Sequence, residues 1–159
     1  MTNHPEQQFL DLLKNLLEKG DERIDRTGVG TRAIFGQQMR FDLSQGFPAF
    51  TTKQVFWKTA FKEILWMLSG GRNIKELLAQ NVHIWSDWPH KKYVDKTCDK
   101  ITMKEFEEKV LESDEFAKKW GDLGPVYGYQ WRHWEKEDGS KVDQIQWLLD
   151  ELKNNPTSR

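Results

Sequence analysis

Four places along the chain combine residue types that can do chemistry. Glu63 lies within Phe61-Lys62-Glu63-Ile64-Leu65-Trp66, a carboxylate in an aromatic and aliphatic run. Apolar surroundings disfavour a carboxylate's charged form, which is the condition for acid–base work near neutral pH. The position beside Lys62 equally suits a solvated helix face, and periodicity alone favours that face, since charged side chains are seldom fully buried. Ile84-Trp85-Ser86-Asp87-Trp88 sets two indoles three residues apart. Such a pair can stack a flat heterocycle or serve as ordinary core. Arg26 precedes Gly28 and Gly30, where backbone N–H groups and a guanidinium can share a phosphate. No Gly-Lys-Ser/Thr follows to make a nucleotide P-loop, and a turn with a solvated arginine is the simpler reading. Cys98, the single cysteine, lies between Thr97 and Asp99. An acidic neighbour works against a thiolate, so Cys98 reads as incidental. His4, His83, His90 and His133 lack zinc-ligand spacing, and no metal site is expected.

The elements that must position these residues follow from periodicity. Phe9, Leu10, Leu12, Leu13, Leu16 and Leu17 recur at helical spacing, with Gly20 as the stop. A two-glycine loop over Asp25–Thr31 leads into Ile34–Leu43, whose loose alternation predicts an extended strand. Phe56–Leu68 predicts a helix with so wide an apolar arc that it is expected to be buried on most sides. Asn73 is placed to cap a short helix reaching about Gln80. Residues 89–120 form a charge-dense insert. Within it Thr102-Met103-Lys104-Glu105 reads as a capping box before Phe106, Val110, Leu111 and Phe116. Gly121–Pro125 is a tight loop, Val126–Trp134 reads as extended and aromatic, and Asp143–Lys153 is a last amphipathic helix.

Composition bounds the rest. At 159 residues the chain fits one domain, long enough for a real core. Mean hydropathy is low at -0.80, yet 8 Trp and 9 Phe argue against a disordered chain. A net charge of -1 argues against a basic nucleic-acid binder. No apolar run is long enough to cross a bilayer, and the first residues show no signal-peptide pattern. One cysteine allows no intrachain disulfide, so a soluble, cytoplasmic protein is expected.

Taken in order, the segments resemble thymidylate synthase. The matching stretches are Asp25–Thr31, Ile34–Pro48, Thr51–Lys53, Lys62–Gly70, Val82–Trp88, Gly121–Trp134, Asp143–Ile145 and Leu152–Arg159. The longest stretch between them is the insert at about 89–120. The resemblance implies an α+β fold, a large mixed β-sheet flanked by helices. It also implies a homodimer that shares its phosphate site across subunits. The implied reaction is reductive methylation of dUMP to dTMP, with 5,10-methylenetetrahydrofolate giving both the carbon and the hydride. A cysteine thiolate attacks C6 of the uracil, which makes C5 nucleophilic; covalent activation divides one hard step into easier ones.

Carried over residue by residue, the resemblance assigns proton handling through ordered water to Glu63, against the solvated-face reading above. It places Trp85 and Trp88 along the folate site near the transferred methylene, and Tyr127 beside the site of proton abstraction. Arg26 falls in the phosphate-binding loop. Arg159 matches an arginine that reaches the partner's phosphate, and Lys53 lies where the folate tail is held. Ser86 stands where the family usually has Asp, and Ala49-Phe50 and Gln54 replace Leu-Leu and a basic residue, which weakens the expectation for folate-tail binding. The Pro-Cys-His nucleophile segment belongs after Ser-Arg-Arg. The chain therefore reads as the N-terminal portion of a single synthase domain, inactive by itself. The alternatives are deoxycytidylate hydroxymethylase, in which water captures the methylene, and a non-catalytic remnant kept as a binding fold.

Overall fold

A computed structural model of the chain describes His4 and residues 6–158. The described residues pack as two compact units, Met1–Val55 and Phe56–Arg159.

In the first unit, α1 (Gln7–Lys19) forms where the leucine periodicity predicts and stops at Gly20, whose N–H closes the last turn on Leu16. β1 (Asp21–Arg23) and β2 (Thr31–Ala33) follow as an antiparallel pair, Asp21 opposite Ala33 and Arg23 opposite Thr31. Gly28 (φ 75°) and Gly30 (φ 83°) turn the connecting loop through left-handed conformations that a side chain would resist. Arg32 links hairpin to helix, donating to the Leu17 carbonyl and to Glu22.

The strand predicted over Ile34–Leu43 does not form. That segment is irregular and ends in a 3-10 turn at Leu43–Gln45, capped by the Asp42 carboxylate. A strand needs a partner ladder. Here the side chain of Gln8 supplies a substitute, accepting from the Arg40 N–H at 2.8 Å and donating to its carbonyl at 2.6 Å. The chain then returns to the start of α1, where Glu6, only 6% exposed, accepts the backbone N–H and hydroxyl of both Thr51 and Thr52 at 2.6–2.8 Å. Phe9 and Phe50 close the same corner, with ring centroids 4.4 Å apart.

The second unit holds α2 (Trp57–Leu68), α3 (Lys75–Leu78), α4 (Asp87–Thr97), α5 (Met103–Glu112), α6 (Asp114–Trp120), α7 (Tyr127–His133) and α8 (Gln144–Asn154). A short hairpin, β3 (Trp134–Glu135) with β4 (Lys141–Val142), joins the last two helices. Two apolar clusters organise it. Trp66, Met67, Leu77 and Val82 form one. The other packs Ile74 and Leu78 of the α3 region against Tyr93, Phe106, Val110, Ala117 and Trp120 of the insert. Trp85 and Leu123 pack against both.

Several sequence expectations change here. The large mixed sheet is absent among the described residues, which carry only two two-stranded sheets. α2 is not buried on most sides: Trp66 and Met67 are its buried residues, while Trp57 and Phe61 are more than half exposed. Val126–Trp134 is helical over Tyr127–His133 rather than extended. Its aromatics at 127, 129 and 131 suggest period two, but Tyr127 and Trp131, like Tyr129 and His133, also stand four apart. Packing decides between the two patterns. A Cβ on Gly128 would come within 2.7 Å of the Met67 carbonyl and 2.8 Å of the Gly71 carbonyl, so only glycine lets α7 seat this closely. In the insert, the capping box at Thr102 and Glu105 forms as read. α4 is an addition; Pro89 sits in its first turn, where a missing N–H costs no helical bond.

Candidate functional site

The centre of the site is built on α2 and on the segment that runs into α4. Glu63 is half-buried on α2. Its Oε1 accepts a hydrogen bond from the Trp85 indole Nε1 at 2.7 Å. The carboxylate therefore lies on neither of the two surfaces weighed from sequence, open solvent or dry core. It stands at the edge of an aromatic wall with one oxygen held by an indole. Trp88 follows one turn later, 64% exposed, with its ring centroid 5.3 Å from that of Trp85 and tilted 45°. Tyr127, 56% exposed at the start of α7, meets Trp85 edge-on at 6.2 Å. Glu63, Trp85, Trp88 and Tyr127 thus come together from three separate stretches of sequence.

The support behind Trp85 is specific. The Trp66 ring lies 6.2 Å away on its α2 side, and a Cβ on Gly71 would overlap the Trp66 indole, so glycine at 71 makes room for it. His83, two residues before Trp85, is bonded through Nδ1 to Glu107 of α5 at 2.9 Å and through Nε2 to Asn81 at 3.0 Å. Lys62 reaches the Gln80 carbonyl at 2.6 Å, tying α2 to the end of the α3 region. Ser86, 2% exposed at the start of α4, carries a hydroxyl without a partner among the described residues.

The tight loop read at Gly121–Pro125 brings Tyr127 into place, and the contact that holds it is one the sequence does not show. Arg72 grips Asp122 with two parallel bonds, Nε to Oδ1 at 2.9 Å and Nη2 to Oδ2 at 2.7 Å. Asp122 also accepts the Gly124 N–H at 2.7 Å. Partial burial works against the Asp122 charge, but the Arg72 and Gly124 hydrogen bonds outweigh it and hold the carboxyl below its ordinary range. The signal was legible as an arginine directly after Gly70-Gly71 and an aspartate inside Gly121-Asp122-Leu123-Gly124. Their pairing across fifty positions was not.

In the first unit, the Asp25 carboxylate accepts the hydroxyl of Thr27 at 2.7 Å and its N–H at 3.0 Å. The Thr27 hydroxyl, helped by nearby N–H groups and opposed by slight desolvation, holds Asp25 below its ordinary range. An open hollow of about 630 Å³ lies beside the two glycines, lined by Glu22, Arg23, Ile24, Gly28, Val29, Gly30, Thr31 and Arg32. Arg26 is exposed and is not among those lining residues. Lys53 is also exposed. Arg159 lies outside the described residues. Cys98 is exposed at the C-terminal cap of α4 in a left-handed conformation, φ 58°. Among the described residues no group of His, Cys, Asp and Glu could hold a metal ion, and no helix is long and apolar enough to cross a membrane.

Fold and site together describe a mixed chain of helices and small sheets, with a carboxylate positioned by an indole beside an aromatic wall and a separate glycine-turned arginine loop. Comparison with known proteins gives that arrangement a family. The thymidylate synthase model matches residues 7–159. A thymidylate synthase of Rhodopseudomonas palustris (strain BisA53) is 60% identical over 157 residues, 98% of this chain and 53% of its own length. One from Sinorhizobium fredii (strain NBRC 101917 / NGR234) is 58% identical over 160 residues, 100% of this chain and 52% of its own length. The chain belongs to the thymidylate synthase family. It spans about half the length of the curated relatives it matches.

Proposed function

We propose that the chain is the N-terminal portion of a thymidylate synthase, which reductively methylates dUMP with 5,10-methylenetetrahydrofolate once a nucleophile-bearing segment is joined to it. The observation that carries this reading is the Glu63–Trp85 pair, a half-buried carboxylate with one oxygen held at 2.7 Å by an indole. The chemistry needs a proton moved at uracil C5 after a thiolate has added at C6. A carboxylate held beside a water-accessible aromatic wall is suited to that task through ordered water. Trp85 and Trp88 supply apolar faces for the pterin and shield the methylene that receives the hydride. Tyr127 closes the same wall near the proton-abstraction site.

In this reading Arg26 binds the nucleotide phosphate together with Arg159 of the second subunit of a homodimer. The glycine turn at 28 and 30 allows close approach of backbone N–H groups to an anion. Lys53 lies toward the folate tail. The protein is taken to work in the cytoplasm, with no metal and no nucleic acid in the reaction.

The test is reconstitution. Residues 1–159 are fused in frame to the remaining half of the Rhodopseudomonas palustris relative. The fusion is assayed for dihydrofolate formed from dUMP and methylenetetrahydrofolate. Turnover that disappears in Glu63→Gln supports the reading. A folded, dimeric fusion without turnover overturns it.

A further inference from the structure

Tyr127 makes few contacts of its own. It is 56% exposed, and its ring meets Trp85 only edge-on at 6.2 Å. Val126, the residue at the N-cap of α7, offers no side-chain cap. The direction of the Tyr127 ring is therefore inherited from the backbone on either side of it. On the N-terminal side, the Leu123 N–H donates to the Arg72 carbonyl at 2.9 Å, and the Ile74 N–H donates to the Gly121 carbonyl at 2.9 Å. The Arg72 guanidinium makes the paired bonds to Asp122 described above. On the C-terminal side, the same guanidinium lies over the ring of Tyr129, 4.9 Å from its centroid. Arg72 thus holds the chain five residues before Tyr127 and two residues after it.

We propose that Arg72 is a positioning residue for Tyr127, setting the first turn of α7 against the Trp85 wall through Asp122 and Tyr129. The consequence for activity rests on the reading that places Tyr127 beside the reacting atoms; the geometric claim does not. A paired guanidinium–carboxylate contact fixes direction as well as distance, which a lysine ammonium cannot do. The cation over Tyr129 adds a second point of hold on the same helix.

The chain has three tyrosines, Tyr93, Tyr127 and Tyr129. Labelled with 3-fluorotyrosine, the 159-residue chain gives three fluorine resonances, assigned by Tyr→Phe substitution at each position. Tyr93 lies in the insert core and reports on folding alone. The expected result for Arg72→Ala is a shifted or broadened Tyr127 resonance together with a shifted Tyr129, and an unmoved Tyr93. Arg72→Lys is expected to move Tyr127 by less. A merely structural arginine would move all three signals together. An unmoved Tyr127 in Arg72→Ala, with Tyr93 sharp, overturns the proposal. Should Arg72→Ala disturb Tyr93, Asp122→Asn decides, because it keeps an acceptor for Gly124 and weakens only the grip on Arg72. Movement of Tyr127 there supports the proposal and its absence overturns it. The functional reading is tested apart from this, by Tyr127→Phe in the fusion. Full turnover in that variant would remove Tyr127 from the chemistry and leave the positioning geometry standing.

Discussion

The indole Nε1 of Trp85 donates to Oε1 of Glu63 at 2.7 Å, across 22 positions of sequence. This contact ties the carboxylate of α2 to the segment entering α4 and leaves the second carboxylate oxygen clear of the indole.

In the completed enzyme, Glu63→Gln is expected to lower kcat by roughly 10²–10⁴-fold with little change in dUMP affinity, since the carboxylate acts on the proton and not on the phosphate. Trp85→Phe is expected to cost less. The double variant should fall short of the product of the two losses, because residues in direct contact couple by about 0.5–3 kcal/mol. Steady-state kinetics of the four proteins measures this. Multiplicative losses would mean that the pair does not act together.

The 159-residue chain alone is expected to give no dihydrofolate from dUMP and methylenetetrahydrofolate. Its one cysteine, Cys98, is exposed on a left-handed helix cap next to Asp99. The absorbance assay for dihydrofolate reads the outcome directly. Turnover would make Cys98, or chemistry without a thiolate, the route.

Arg26→Ala in the completed enzyme is expected to weaken dUMP by about 10–100-fold, the value of a lost hydrogen bond to a charged group, and to leave deoxyuridine unchanged. The wild-type affinity should fall with salt as exposed charge is screened. If Arg159 acts across the dimer, mixing Arg159→Ala chains with nucleophile-dead chains should recover one working site per mixed dimer. Competition titrations and the mixing assay report these separately.

The sequence carried the local elements well and the long-range ones poorly. Capping chemistry at Thr102 and Glu105 and the leucine stripe of α1 are rules of three and four residues, and both stand. The strand over Ile34–Leu43 and the extended reading of Val126–Trp134 failed because the deciding partners are distant. One is the side chain of Gln8, and the other is the pair of carbonyls on which Gly128 sits. Likewise the residue types of the site were readable one by one. That Glu63 meets Trp85, or that Arg72 meets Asp122, is a property of packing.

Glu6 gives a pH dependence. Hydrogen bonds from the Thr51 and Thr52 hydroxyls and N–H groups lower its pKa from 4.5 to about 2. A lowered carboxylate pKa contributes stability that is fully present above the unfolded value and is lost as pH falls toward the folded one. The first unit should therefore weaken between about pH 4.5 and 2 in part through this group, and Glu6→Gln should flatten that portion of the acid titration. Far-ultraviolet dichroism against pH, with Phe9–Phe50 packing followed by hydrogen exchange, checks it. An unchanged acid limb would show that the threonine contacts are not maintained in solution.

Phe106 is fully buried in the insert. Phe106→Ala is expected to cost about 3–5 kcal/mol, through lost transfer energy and an unfilled cavity. Denaturant unfolding of the chain measures it. A loss under 1 kcal/mol would mean that the insert interior collapses around the gap.

Trp85 and Leu123 each pack against both apolar clusters of the second unit. Opening either cluster strips a wall from its neighbour, so the two are expected to open together. The insert is then not a passenger module that frays on its own schedule. Amides of α5, far from Glu63 in sequence, should exchange with solvent through the same opening event as those of α2, so the rigidity of the aromatic wall depends on helices that lie outside it.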